Sequence, residues 1–450
     1  MTRVSRIVLV ALMVALVSPL WAADAAPAMK EWTIAVFLNA DNNLDSFGVE
    51  DQQEMAKIGS NNWLNIVTLI DRERGPACYN YIEKGKITKV KDMGELDMGD
   101  YKLFIEFAKY IVANYPAKRY VFTFWNHGSG WKLGNQSPIT RGISYDDSSN
   151  NHITNNQLAV ALREVKKVIG HNIDILNFDA CLMQMAEVVH ACKDSVDYIV
   201  ASEETEPGKG TPYDDVLATL TKTSTAESFS KTWTNTFVKS YSGGSQGNED
   251  CTQSAIKVAA MGPVFDAMNG LAKATMSGKY SAEYKAALQK VQTFAYPENV
   301  DLIHLAALLK AAIKDEAIKT ACDKVTAACN AAIAANGNNG YSMKNAKGLA
   351  VYLPSDFSAE NGYTALDFSK DTLWDDMIAD LYKKSKAAAL VASVENGDLS
   401  ALRGYIAGSK DSDDVKKFIV QELNFRLHSE SGLDESLKSE ASALVLELNN

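Results

Sequence analysis

Two short stretches carry residues whose types and placement suit chemistry. The first is YVFTFWNHGSGW (Tyr120–Trp131), where His127 closely follows an apolar run and is backed by Gly128 and Gly130. The second is DILNFDACLM (Asp174–Met183), where Asp179 and Cys181 follow another apolar run. Both runs read as buried strands, ending near Trp125 and Phe178. A thiolate and an imidazole brought together are what nucleophilic thiol catalysis needs: sulfur attacks an acyl carbon, and the imidazole hands a proton to the leaving amine. The glycines let the backbone turn sharply and let a substrate come close. A helix expected over Leu182–Cys192 would put Cys181 near a helix N-terminus, where backbone N–H groups and the dipole favour a thiolate. Taken singly, such a cysteine is as readily a small buried hydrophobe, and such a histidine a surface hydrogen-bonding group. Their pairing on consecutive strand ends is what points to catalysis.

The elements that position these residues follow from periodicity. Apolar runs at Trp32–Ala40, Asn65–Asp71, Tyr120–Trp125, Ile173–Phe178 and Tyr198–Ser202 alternate with helix-like segments at Leu44–Ile58, Tyr101–Ala113, Asn155–Ile169 and Leu182–Cys192. Short buried strands separated by helices imply βαβ crossovers and a mostly parallel α/β sheet covered on both faces. Cys78–Val90 alternates around Gly85 as a β-hairpin. A single helix separates the strand before His127 from the strand before Cys181, so the two are expected side by side. Their residues would then share one crevice at the carboxyl ends of the strands, where ligands of such folds sit. The second half differs. Residues 226–335 are Ala- and Lys-rich and mostly helical in period, Asn336–Tyr341 (NGNNGY) reads as a flexible loop, and Gly348–Pro354 (GLAVYLP) reads as a buried strand returning to the same sheet. The expected division is a signal peptide (1–25), a catalytic core (26–225), a helical insertion with the returning strand of the same domain (226–385), and a helical C-terminal appendage (386–450).

Composition bounds the function. With 46% hydrophobic and 22% charged residues in 450, the chain is globular rather than disordered. Lys and Arg number 45 against 56 Asp and Glu, a net charge of −11, which lacks the basic footprint of a nucleic-acid binder and permits attraction to basic partners. Arg3 and Arg6, the apolar run Ile7–Val17 and the Ala-rich Ala22–Ala28 form a secretory signal pattern, with cleavage after Ala22 or Ala25. The run is short for a membrane span, an uncleaved anchor being the other reading. The chain is therefore expected to be exported, to the periplasm or the extracellular space, with no membrane span after signal removal. The six cysteines are too few for a disulfide scaffold. Cys322 and Cys329 on one helix would lie about 10 Å apart, so no disulfide joins them. The six histidines show no HExxH and no metal-site spacing with cysteines, and neither a P-loop nor a GxGxxG follows a strand. Asp41–Asp45 (DNNLD) opens like an EF-hand loop, yet Ser46 replaces the required Gly and Gln52 the required Glu. Asp146 and Asp147 read as a pair that keeps its loop solvated, a cation ligand being the other role open to them.

The chain resembles the clostripain-type cysteine peptidases, in the broader clan of caspases, legumains and gingipains. The stretches that carry the resemblance are FLNADNNLD (Phe37–Asp45), NYPAKRYVFTFWNHGSGW (Asn114–Trp131), ILNFDACLMQMAEV (Ile175–Val188), ASEETEPGKGTPYDDVL (Ala201–Leu217) and GLAVYLP (Gly348–Pro354). Their order and spacing match over roughly residues 30–385, and the tail after about Lys384 has no counterpart. The resemblance implies a caspase-like three-layer α/β/α sandwich. It implies Cys181 as nucleophile, His127 as general acid, and the backbone N–H groups of Gly128 and Cys181 as the oxyanion site. It further implies cleavage of peptides or proteins after Arg or Lys, with Asp179 as the acidic residue of the S1 pocket. The residue reading agrees, since a carboxylate at that strand end suits an incoming guanidinium or ammonium. A helix N-cap serving Leu182–Met183 is the other role open to Asp179. Glu203, Glu204 and Glu206 follow the next strand and are candidates to line the same crevice. The family matures by internal cleavage, for which Arg141 in the polar segment after His127 is the expected site and Lys132 the lesser one. No cofactor is required by the sequence, and the resemblance makes calcium possible. Two other readings use the same residues: a non-catalytic binding module on a peptidase fold, and a transpeptidase.

Overall fold

Runs of apolar, β-branched and aromatic residues make the central strands of the computed structural model, which describes residues 27–131, 142–359, 362–408, 413–428 and 435–449. The expected signal peptide, Lys132 and Arg141 lie outside the described residues. The strands are β1 (Lys30–Ala40), β2 (Leu64–Arg72), β3 (Ala77–Glu83), β4 (Lys86–Gly94), β5 (Ala117–Trp125), β6 (Ile143–Asp146), β7 (Asn151–Ile153), β8 (Ile173–Asp179), β9 (Val196–Ala201), β10 (Ser242–Gly244), β11 (Gly247–Asn248), β12 (Cys251–Lys257), β13 (Asn299–Asp301), β14 (Ile333–Asn339) and β15 (Ala350–Tyr352). Nine of them form one sheet in the order β14-β12-β9-β8-β5-β1-β2-β3-β4. Its centre, β9 through β2, is parallel, and antiparallel pairs close both edges. The expected hairpin is β3 and β4, turning at Gly85 with φ +72°.

Alternation along the strands divides the core into two layers. Ala35 and Phe37 of β1, Phe122 and Phe124 of β5 and Phe178 of β8 face one side, against helices Tyr101–Asn114 and Asn155–Ile169. Phe104 of the first helix meets Phe37 edge-on at 5.4 Å and Phe124 at 4.2 Å, an aromatic cluster that seats the helix on the sheet. Ile34, Val36 and Leu38 of β1, with Val121 and Trp125 of β5, face the other side, against helices Asp45–Ile58 and Ala226–Ser240. The result is a caspase-like three-layer α/β/α sandwich. Helix Asn155–Ile169, which links β5 to β8, is closed at both ends by its own sequence. Thr154 and Gln157 form a reciprocal capping box, and Gly170 takes φ +86° after the last turn.

The second half corrects the sequence reading in three places. Gly348–Pro354 does not return to the main sheet: β15 pairs with β13 as a separate two-stranded ribbon. The strands that do return are β12 and β14, inside segments expected to be helix and loop. NGNNGY is strand over its first four residues because β12 supplies a ladder and the Asn amides find partners. Asn336 and Asn338 donate to the Ala346 carbonyl and Asn339 to the Tyr241 carbonyl. Helix Trp374–Glu395 spans position 385, the expected start of the appendage, and two apolar clusters divide along it. Its first turns pack Trp374, Met377 and Leu381 into the main core, while Ala387, Leu390 and Val394 join a separate apolar cluster with Leu402, Leu423 and Leu444.

Candidate active site

Strand pairing sets the geometry of the site. β5 and β8 are parallel neighbours, with Phe124 opposite Phe178 and Trp125 opposite Asp179. His127 and Cys181 each stand two residues beyond that last pair, so they emerge from one end of adjacent strands. Their loops touch: a Cβ on Gly128 would meet the Cys181 carbonyl oxygen at 2.5 Å, which is why glycine follows the histidine. Asn126 N–H also donates to the Asp179 carbonyl. Both side chains line a crevice of about 180 Å³, with Leu44, Trp125, Asp179, Glu206 and the Pro207–Gly210 turn completing its wall. A cavity of roughly 150 Å³ admits a benzene-sized ligand, so this one has room for a side chain.

The segment after Cys181 differs from the expectation. The helix begins at Ala186, not Leu182, so Cys181 does not sit at a helix N-terminus. Leu182 instead takes φ +66°, a backbone state costing a β-carbon-bearing residue about 1–3 kcal/mol. Hydrogen bonds on both sides hold it there. Leu182 N–H donates to the Glu204 carbonyl at 3.1 Å, Gln184 N–H to Ser202 at 2.9 Å, and Ala350 N–H of β15 to the Gln184 carbonyl at 3.0 Å. Thus GLAVYLP braces the loop carrying the thiol rather than extending the sheet.

The electrostatics follow from burial among acids. Burial pushes the Cys181 thiol above its ordinary value, and Glu204 and Asp179 add to that, against a backbone N–H of Glu206 directed at the sulfur. Burial holds the His127 imidazole below its ordinary value, with Asp147 pulling the other way. The resting pair is therefore neutral thiol and neutral imidazole. His127 Nε2 lies 2.7 Å from Asn43 Oδ1.

Asp179 is buried at the base of the crevice, where it accepts from Thr211 N–H at 3.0 Å and Tyr213 O–H at 2.8 Å. It does not cap a helix, since the cap position of the following helix is Met185. Burial raises its carboxyl, while a hydrogen bond to the Glu206 carboxyl works the other way; burial and Asp179 together raise Glu206 strongly. The pair holds a proton between them for the reason two close carboxylates cannot both ionise. Of the other two glutamates proposed for the crevice, neither lines it. Glu203 is buried behind the loop, accepting from Gly348 N–H at 2.8 Å and bonded to Asp301. Glu204 turns back to accept from Thr205 and Ala295 N–H. Two further acids, outside the sequence candidates, lie within electrostatic range of Asp179. Asp51 accepts from Trp125 Nε1 at 2.5 Å and Glu54 from Tyr213 N–H at 2.9 Å, both from helix Asp45–Ile58. Their spacing of three on a helix following the first strand end was the available signal. Gly210, at φ +59°, completes the acidic base, because a Cβ there would press on Asp179 Oδ1 at 2.7 Å.

Asp45 is engaged by Arg72 at 2.7 Å, and no group of three or more His, Cys, Asp or Glu among the described residues is arranged to hold a metal ion.

Burial of acids reaches beyond the site and has a measurable consequence. It raises Glu54, Asp71 and Glu187 to about 7 and Asp174 to about 6. The native state thus keeps protons that unfolded carboxyls release near pH ~4, so stability falls as pH rises from there through about 7. His127, His190 and His304, held low by burial, oppose this at the acidic end of the window. The acids outnumber them, Asp51, Asp179, Glu203 and Glu206 being raised as well. Thermal unfolding followed by circular dichroism is expected to give a lower Tm at pH 8 than at pH 5.5, and an equal or higher one would contradict the argument.

A caspase-like sandwich with cysteine and histidine on adjacent strand ends defines the class as a peptidase architecture. The clostripain family model (peptidase family C11) matches residues 36–381, and the chain belongs to that family. Clostripain of Hathewaya histolytica is 29% identical over 221 residues, a match spanning 41% of this chain and 41% of that relative. The chain is thus matched to less than half the length of this curated relative. Two solved structures share the fold. A secreted C11 cysteine protease from Bacteroides thetaiotaomicron, in complex with an irreversible peptide inhibitor, is 19% identical over 78% of this chain and 99% of its own, with a TM-score of 0.58. An inactive zymogen C11 protease from Parabacteroides distasonis is 18% identical over 77% and 99%, with a TM-score of 0.59.

Proposed function

We propose that the chain is an exported cysteine endopeptidase that cleaves peptide bonds after Arg or Lys and matures by cutting itself. The observation that carries the reading is the Trp125–Asp179 register, which supports a working pair of His127 and Cys181 over an acidic crevice base. A basic side chain enters the crevice and pairs with Asp179 and Glu206, displacing their shared proton. The Cys181 thiol passes its proton to His127 as sulfur bonds to the substrate carbonyl carbon. Negative charge on the carbonyl oxygen is met by the N–H groups of Gly128 and Cys181. The carbon–nitrogen bond then breaks, His127 returns the proton to the departing amine, and water, deprotonated by the same imidazole, releases the acyl group from sulfur.

Release of a fluorogenic amine is expected from Arg- and Lys-terminated peptidyl amides and not from Leu- or Asp-terminated ones. Equal rates across the four would refute basic specificity. Mass spectrometry of the purified protein tests maturation. An N-terminus after Ala22 or Ala25 and a cut at Arg141–Gly142, or at Lys132, are expected in the wild type. The same internal cut in Cys181→Ala made alone would sink self-processing.

A further inference from the structure

We infer that Asn43 is a positioning residue of this site, fixing which ring nitrogen of His127 carries the proton. The inference rests on the peptidase reading above and extends it to a third strand. β1 lies beside β5 on the side away from β8, with Leu38 opposite Trp125, so three adjacent strand ends present Asn43, His127 and Cys181 in order.

The loop bearing Asn43 is held by buried amides. Asn126 Nδ2 donates to the Asn39 carbonyl at 2.7 Å and the Tyr145 carbonyl at 3.0 Å, and its Oδ1 accepts from Tyr145 N–H at 2.6 Å. Asn42 Nδ2 donates to the same two carbonyls, and Asn42 Oδ1 accepts from Leu44 N–H at 2.9 Å. Asn39 and Asn42 are therefore spent on structure. Asn43 is exposed, and its Oδ1 meets His127 Nε2 at 2.7 Å. This gives the DNNLD stretch, which departs from the EF-hand pattern, a use of its own.

An amide oxygen only accepts, so the proton of the neutral ring sits on Nε2 and Nδ1 keeps its lone pair. Nδ1 is then the atom that takes the thiol proton and later returns it to the amine. The Nε2–H bond to Asn43 persists in both ring states and strengthens when the ring is charged. Among the described residues the charged and titratable groups around this ring are Asp147 and, in the crevice, Cys181, Asp179 and Glu206.

Removing the partner that orients a metal-bound histidine costs about 10- to 100-fold, and a loss of that size is expected here. Asn43→Ala is expected to lower kcat/KM on an Arg amide by that factor through kcat, with KM and Tm unchanged. Asn43→Asp keeps the acceptor, so it should restore most of kcat while moving the acidic limb of kcat/KM to higher pH, because a carboxylate stabilises the imidazolium. Unchanged kcat in Asn43→Ala, or an unmoved acidic limb in Asn43→Asp, overturns the inference. Cys181→Ala and His127→Ala run alongside separate the two ideas. If those are inactive while Asn43→Ala is normal, the positioning role alone fails; if they remain active, the peptidase reading fails.

Discussion

Cys181→Ala is expected to lower kcat/KM on an Arg amide by at least about 10⁴-fold, with the fold intact. In the proposed mechanism the sulfur is the atom that bonds to substrate, and no other group lining the crevice would replace it: Asp179 is a buried and Glu206 a half-buried hydrogen-bonded acid, and His127 would serve as a base without a nucleophile. Alanine fits the same backbone, since Leu182 and Gln184 hold the loop through main-chain bonds that do not involve the thiol. His127→Ala should be almost as damaging. Burial keeps the thiol protonated at rest, so attack requires a base to receive the proton. Residues that act as one unit are not additive, so the double variant should be no slower than the worse single one. Steady-state kinetics with matched thermal melts test this; retention of a tenth of the activity in Cys181→Ala would discard the nucleophile assignment.

Asp179→Asn is expected to cut kcat/KM on Arg and Lys amides by about 10²- to 10³-fold, the scale of 2–5 kcal/mol lost on truncating one partner of a buried charge pair. Asparagine is the informative replacement because its Oδ1 still accepts from Thr211 or Tyr213, so the base of the crevice keeps its shape. The charge is removed and the hydrogen bonding largely is not. Alkylation of Cys181 by a small neutral iodoacetamide reports the thiol without using the acidic base, and should change little. Undiminished Arg and Lys preference in this variant would refute the specificity role. Glu206 shares the proton with Asp179 and lines the same crevice, so Glu206→Gln should show a weaker form of the same loss.

Much of this was legible from order alone. Apolar runs with residues of the right period made the central parallel strands and their helices, and HG after one strand with DAC after the next marked the crevice they share, because strand ends in such sheets are where ligands meet the chain. The exceptions share a cause. NGNNGY becomes strand only because β12 offers a partner ladder, which local composition does not encode. The helix after Cys181 starts late because Leu182–Gln184 is bonded between the Ser202–Glu204 segment and β15, contacts distant in sequence.

The sequence by itself determined the central strands, the places of His127 and Cys181 just beyond two of them, and the family. Tertiary structure alone decided which neighbours surround them. It selected Glu206 over Glu203 and Glu204, brought Asp51 and Glu54 beneath Asp179, and set Asn43 on His127. The physical reason is that periodicity reports a residue's face within its own element, whereas charge pairing and hydrogen bonding depend on which elements lie side by side.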